Sequence, residues 1–107
     1  MIVVTTPSVT GKRVRRTLGL VRGNTVRASH AGKDILAAFR NLVGGEVHEY
    51  TKLMSESREH ALDRMVEEAQ SLGANGILET RFATTEIGKG LAEIMVYGTA
   101  VVLEDDM

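Results

Sequence analysis

The 107-residue chain has no cysteine, no tryptophan, one proline and four aromatic side chains, Phe39, Tyr50, Phe82 and Tyr97. Without thiols there are no disulfides, cysteine nucleophiles, zinc fingers or thiolate sites for soft metals, and the composition fits a reducing, cytoplasmic setting. With so few rings, the core has to be filled by Val, Ile, Leu, Met and Ala. No apolar run approaches the ~20 residues that a membrane helix needs, and residues 1–7 lack the basic flank and length of a signal peptide. Acid is also missing from one end. Residues 1–33 hold Lys12, Arg13, Arg15, Arg16, Arg22, Arg27 and Lys33 with no Asp or Glu, whereas the remainder holds all 14 acids. Such asymmetry fits an anion or nucleic-acid patch, or mutual neutralisation of basic strands by acidic helices of the same or a neighbouring subunit. Neutralisation is favoured and a nucleic-acid partner is not expected, because no base-stacking aromatics are interleaved with the basic residues.

What is present is an ordinary globular balance, 43% hydrophobic and 25% charged, which fits one domain over residues 1–107. The longest pattern lies at 46–72. Val47, Tyr50, Met54, Ala61, Leu62, Met65, Val66, Ala69 and Leu72 recur at three-and-four spacing, which predicts an amphipathic helix roughly 40 Å long. Gly73 follows as a left-handed helix stop. Glu56, Glu59, His60, Asp63, Arg64 and Glu67 take the opposite side. By the same spacing Arg58 falls inside the apolar stripe, where it must snorkel, pair with a carboxylate such as Glu79 or Glu93, or face an anionic ligand. The charge pair is the favoured reading.

Around that helix the chain reads as α+β. Residues 2–6 form a short β-branched strand closed by Pro7, and 14–21 alternate as a second strand. Gly23-Asn24 reads as a tight turn leading into a third short strand at 25–28. Ser29 N-caps a short helix that runs to Val43, with Gly44-Gly45 as the break before the long helix. Residues 77–82 form a strand, 86–90 a hairpin loop containing Gly88 and Gly90, and 91–103 a strand apolar on both faces except for Glu93. A strand of that kind is central in its sheet or covered by another subunit. In it Tyr97 is a polar handle whose hydroxyl needs a partner if covered. Glu104-Asp105-Asp106 reads as a fraying acidic tail.

Chemical motifs are mostly absent. There is no Gly-x-Ser-x-Gly, no P-loop, no Gly-x-Gly-x-x-Gly and no His-Glu-x-x-His, so an enzyme is not favoured and no cofactor is predicted. His48, Glu56 and His60 are the residues that could offer nitrogen and oxygen ligands to a metal ion, shared across a subunit interface. A solvated charged helix face accounts for Glu56 and His60 without a ligand and is the favoured reading.

Thr5-Thr6-Pro7, Val43-Gly44-Gly45, Tyr50, Arg58-Glu59-x-Ala61, Ala69-x-x-Leu72-Gly73-Ala74-Asn75 and Gly98-Thr99-Ala100-Val101 occur in an order and spacing that resembles the YbjQ family of small prokaryotic proteins. The resemblance spans nearly the whole chain. It implies a dodecin-like α+β subunit that assembles as a ring-forming homo-oligomer, described as a homopentamer, and it carries a heavy-metal-binding label. The residues leave three functional classes: a homo-oligomeric binding or scaffold protein of unestablished ligand, which is favoured; a metal-binding module using His and carboxylates; and an anion-binding protein or enzyme centred on Arg58 and the basic strands.

Overall fold

The apolar stripe of the long segment becomes helix α1, Val47–Ser71, in a computed structural model that describes residues 1–27, 47–88 and 91–106. Four strands complete the described chain: β1 (Ile2–Val3), β2 (Lys12–Arg27), β3 (Gly76–Gly88) and β4 (Leu91–Asp105). They form one mixed sheet in the order β1-β3-β4-β2, with β1 parallel to β3 and the other pairs antiparallel. β4 is central, one of the two positions expected of a strand apolar on both faces.

The seam of α1 is narrower than the sequence stripe. Ser57, Ala61, Met65 and Ala69, every fourth residue, have no exposed surface, while Met54, Leu62 and Val66 flank them half-buried. Against this row the sheet presents Val21, Ile77, Ile94, Val96 and Ala100. Full burial of a side chain such as Met65 or Ile94 stabilises by about 1.5–3 kcal/mol relative to exposure. Ser57 fits the seam because its Oγ donates back to the Leu53 carbonyl at 2.9 Å and its own carbonyl accepts from Thr25 Oγ1 at 3.1 Å. Two of the three smallest side chains in the row, Ala61 and Ser57, sit where the helix backbone comes closest to β2.

That approach explains Gly23. A Cβ there would overlap the Ala61 carbonyl oxygen and stand 2.6 Å from the Met65 nitrogen. The glycine therefore marks a helix lying directly on a strand, and the expected turn at Gly23-Asn24 is corrected: β2 runs through it without interruption as a 16-residue strand. Glycine inside a strand has both meanings, and only the packing distinguishes them.

The helix ends as its sequence requires. Gly73 takes φ 87°, with Ala74 N donating to Ala69 O and Gly73 N to Gln70 O, each at 3.0 Å, the paired bonds of a Schellman motif. Asn75 then joins helix to sheet, since its side-chain amide donates to Leu103 O at 2.9 Å and accepts from Leu103 N at 2.7 Å. The sheet's other face carries a second apolar cluster at one end, Leu78, Val101 and Leu103, covered by Ile2, Val4 and Val9 of the N-terminal segment.

Three further expectations change. The dodecin-like subunit and the ring are corrected to a fold with one helix among the described residues and a four-stranded mixed sheet. The strand from Ile77 runs on to Gly88, so residues 86–88 of the expected loop belong to β3, and residues 89 and 90, with Gly90, lie outside the described residues. Glu104 and Asp105 do not fray but lie in β4 and pair with β2, Lys12 Nζ lying 2.6 Å from Asp105 Oδ1 and Arg13 Nε 2.7 Å from Glu104 Oε1. The short helix at 29–43, with His30 and Gly44-Gly45, lies outside the described residues.

Gly23→Ala tests the backbone contact. Overpacking at this point forces α1 away from β2, so the variant should lose about 2–3 kcal/mol in urea denaturation. A midpoint equal to the parent's would show that the two backbones are not in contact there.

Candidate functional site

Among the described residues, the face of the sheet turned away from α1 is covered at one end only. Side chains alternate across a strand, so Ile94, Val96 and Ala100 on the helix side leave Met95, Tyr97 and Thr99 on the other. The N-terminal segment shields Val101 and Leu103 but not these three. Strand register then places Arg22 and Arg81 on either side of Tyr97, followed by Asn24 and Ala83 beside Met95, and Val26 and Thr85 beside Glu93. Arg22 and Arg81 are exposed and Tyr97 is 37% exposed. Leu20 and Val26, at 65% and 52%, are the most exposed large apolar side chains of this face.

Arg81 reaches this face because of a break in register. Leu78 pairs with Thr99 but Arg81 pairs with Tyr97, so β3 carries one residue more than β4 between those pairs. A regular ladder would set Thr80 opposite Tyr97 and turn Arg81 to the helix side, since a one-residue slip reverses every side chain. The extra residue lies at Glu79, the one described non-glycine residue with positive φ, 52°. A left-handed non-glycine residue costs on the order of 1–2 kcal/mol. Arg81 Nη1 is then anchored to two neutral carbonyls, Thr5 O at 2.8 Å and Thr80 O at 2.9 Å. These bonds orient the guanidinium without neutralising it.

The charge of Arg22 and Arg81 is uncompensated among the described residues. Among the described residues the ion pairs are Lys12 with Asp105 and Arg13 with Glu104, and neither Arg22 nor Arg81 has a carboxylate partner. Glu93 accepts instead from Asn24 Nδ2 at 3.2 Å. Lys12 holds the Asp105 carboxyl below the ordinary aspartate range, through its hydrogen bond first and its charge second.

The residues singled out from sequence are not brought together. Arg58 is exposed and donates from Nη2 to Ser55 Oγ at 3.2 Å, so its placement in the buried stripe is corrected. Ser57, one position earlier, occupies the seam, and the 100° step per residue carries Arg58 outward. Glu79 is exposed in the register break and Glu93 serves Asn24, so neither carboxylate receives Arg58. Tyr97 and Glu93 share the open face, two rows apart along β4. Glu56 and His60 are exposed one turn apart on α1, and the side chain of His48 lies outside the described residues. Sequence reasoning missed Arg22 and Arg81. Arg22 was legible as an out-facing position of an alternating strand, whereas Arg81 depends on the Glu79 irregularity, for which the sequence holds no signal.

No group of three His, Cys, Asp or Glu among the described residues could hold a metal ion. A soft heavy metal would look for thiolate, and the chain has none. The described residues do not fit such a site. Among them, too, no helix is long and apolar enough to cross a membrane.

Comparison with known proteins bears on the fold and the family. The sequence model of the YbjQ family, described as "Putative heavy-metal-binding", matches residues 1–104. A UPF0145 protein of Clostridioides difficile is 52% identical over 106 residues, 99% of this chain and 95% of that one. A UPF0145 protein of Pyrococcus horikoshii is 56% identical over 104 residues, 97% of this chain and 89% of the other. Among solved structures, a protein of unknown function in the DUF74 family from Pediococcus pentosaceus superposes with a TM-score of 0.67 at 16% identity, covering 97% of this chain and 98% of that one. That likeness concerns the fold alone.

Arg58→Ala should change stability by no more than about 0.5 kcal/mol, as exposed substitutions do; a loss of several kcal/mol in a thermal melt would return Arg58 to a buried pair. The Asp105 carboxyl should titrate below an unpaired aspartate when followed by NMR, and Lys12→Ala should bring it back. Because the folded value is depressed, the stabilisation is present above the unfolded value and is lost as pH falls through the folded one. The carboxyl is fully exposed, so high salt should weaken the effect.

Proposed function

We propose, for a chain that belongs to the YbjQ family, that it is a small self-associating binding protein whose copies join through their sheet edges and leave the open face free. The observation that supports this is the outer edge of β2. It is 16 residues long, and no described residue pairs with it. A long free edge invites pairing with another chain, and proteins normally shorten or cover such edges. A second copy is the natural occupant, because the same chain offers a second free edge. β1 and the following residues engage β3 only as far as Thr80, so beyond that point no described residue pairs with the outside of β3.

Charge favours the same occupant. Arg15 and Arg16 in β2 have no acidic partner among the described residues, while α1 exposes Glu56, Glu59, Asp63, Glu67 and Glu68, equally unpaired. Edge pairing between copies would bring these opposite charges near one another and extend a neutralisation that, among the described residues, is reached only at Lys12 and Arg13. The contact is heterologous, joining two different surfaces.

The heavy-metal description of the family does not carry the reading for this chain. Glu56 and His60 are one turn apart, but no third ligand stands beside them among the described residues.

Native mass spectrometry and light scattering test the assembly. The parent should run at a multiple of 11.6 kDa, with the pentamer implied by the resemblance as one such multiple, and Arg15→Glu/Arg16→Glu should lower the mass. A parent mass of a single subunit across the micromolar range would overturn self-association.

A further inference from the structure

We propose that Arg22, Tyr97 and Arg81 on the open face form a binding site for a phosphate monoester carried on a planar ring, the chemistry of a mononucleotide. The inference deepens the binding reading above and rests on it, although not on the self-association that accompanies it. All three residues belong to one chain. β4 sets Tyr97 in the middle, and the register sets one arginine on each neighbouring strand. The two arginine roots stand about 10 Å apart, two strand spacings, with Tyr97 between them.

Two like charges facing each other across a central residue are unfavourable in the empty protein. Nothing described relieves them. Glu93 lies two rows further along the strand and is engaged by Asn24, and Glu79 forms no ion pair although it sits beside Arg81. An anion between the guanidiniums would satisfy both, each fork offering paired N–H donors to phosphate oxygens. Two positive charges match the roughly −1.5 to −2 of a phosphate monoester near neutral pH better than they match a single carboxylate.

The backbone supports the same conclusion independently. The register break at Glu79, with its left-handed φ of 52°, is what turns Arg81 onto this face, and strain of that kind clusters where geometry serves a ligand. The hydrogen bonds from Arg81 to Thr5 and Thr80 then fix the guanidinium before any ligand arrives. Tyr97 supplies an exposed ring for stacking, bordered by Met95 and by the strongly exposed Leu20, while its hydroxyl has no hydrogen-bond partner among the described residues. Aromatic faces accept planar rings readily. Because the described residues of the open row hold one aromatic and one pair of cations without acidic partners, it suits a single ring with a single phosphate. A nucleic-acid strand would need a succession of stacking side chains.

Calorimetric titration of the full chain at low salt with adenosine monophosphate, adenosine and inorganic phosphate tests the site. Adenosine monophosphate should bind, inorganic phosphate at least about tenfold more weakly, and adenosine without measurable heat. Arg22→Gln and Arg81→Gln should each weaken the monophosphate by about tenfold or more, as loss of a hydrogen bond to a charged group does. Tyr97→Ala should weaken it several-fold, and Arg58→Gln, on the exposed side of α1, should leave it unchanged. Melting curves of Arg22→Gln and Arg58→Gln should match the parent's, since those side chains are exposed; Arg81→Gln and Tyr97→Ala, which lose the bonds to Thr5 O and Thr80 O and a partly covered ring, are titrated well below their own midpoints so that the binding readout is of folded protein. No binding of the monophosphate at millimolar concentration would overturn the proposal. Equal affinity for phosphate and the monophosphate, equal affinity for adenosine, or insensitivity to both glutamine variants would do the same. Native mass on the same samples separates the two readings: loss of binding at unchanged mass concerns the site alone, and a single-subunit mass with binding retained concerns the assembly alone.

Discussion

Everything else in the described fold follows from one backbone lying directly on another, where α1 crosses β2 at Gly23. The contact requires glycine on the strand and small residues on the helix, and Ala61 and Ser57 supply them within a seam of four fully buried positions. Hydrogen bonds hold the crossing in place. Thr25 Oγ1 donates to the Ser57 carbonyl and Arg64 Nη1 to the Asn24 carbonyl, so helix positions on either side of Ala61 are fastened to β2 just beyond the glycine. With α1 committed to β2 and β4, the reverse face of the same strands is left to the N-terminal segment, which covers one end of it. The open row around Tyr97 is what that division leaves exposed.

The sequence made the long-range architecture legible wherever a residue's role was local. The helix over 46–72 and its glycine stop follow from spacing and from backbone sterics, and the central position of β4 follows from apolar residues on both of its faces. It was misleading where a residue's role was set from across the fold. Gly23-Asn24 has the composition of a turn, yet the glycine is required by a helix more than thirty positions away in the chain. Arg58 lies within a stripe drawn broadly, whereas the true seam is one residue wide because small side chains draw the helix close. The acidic tail looks solvated until β2 is known to run antiparallel beside it. The dodecin-like ring was an inference from resemblance, and the mixed sheet, with β1 parallel to β3, does not support it.

Charge segregation along the chain is only partly resolved within the chain. Lys12 and Arg13 meet Asp105 and Glu104 at the open end of the β2–β4 ladder, in exposed pairs that each contribute little to stability. Arg15, Arg16 and Arg22 stay without acidic partners among the described residues, and the acids of α1 stay without bases. Opposite charges left apart in one chain are a common basis for steering between two chains, since they act over about a Debye length before any contact forms. Histidine and carboxylate on α1 belong to this same solvated face, which is why they do not converge on a metal.

The N-terminal segment ties these features together. It buries Leu78, Val101 and Leu103, and it also sustains the register break that presents Arg81. Both amides of the break are directed at it: Thr80 N donates to Val4 O at 3.0 Å and Glu79 N to Thr6 O at 3.1 Å. Arg81 then closes the arrangement by donating to Thr5 O. A left-handed residue persists only where its surroundings over-determine it, and here three successive carbonyl groups, of Val4, Thr5 and Thr6, do so. The first strand is two residues long and would add little as a ladder, yet the residues after it fix which face of the sheet an arginine occupies. The same stretch, residues 2–9, therefore sets apolar burial at one end of the open face and cationic character in its middle, so a change in how that stretch packs would alter both together.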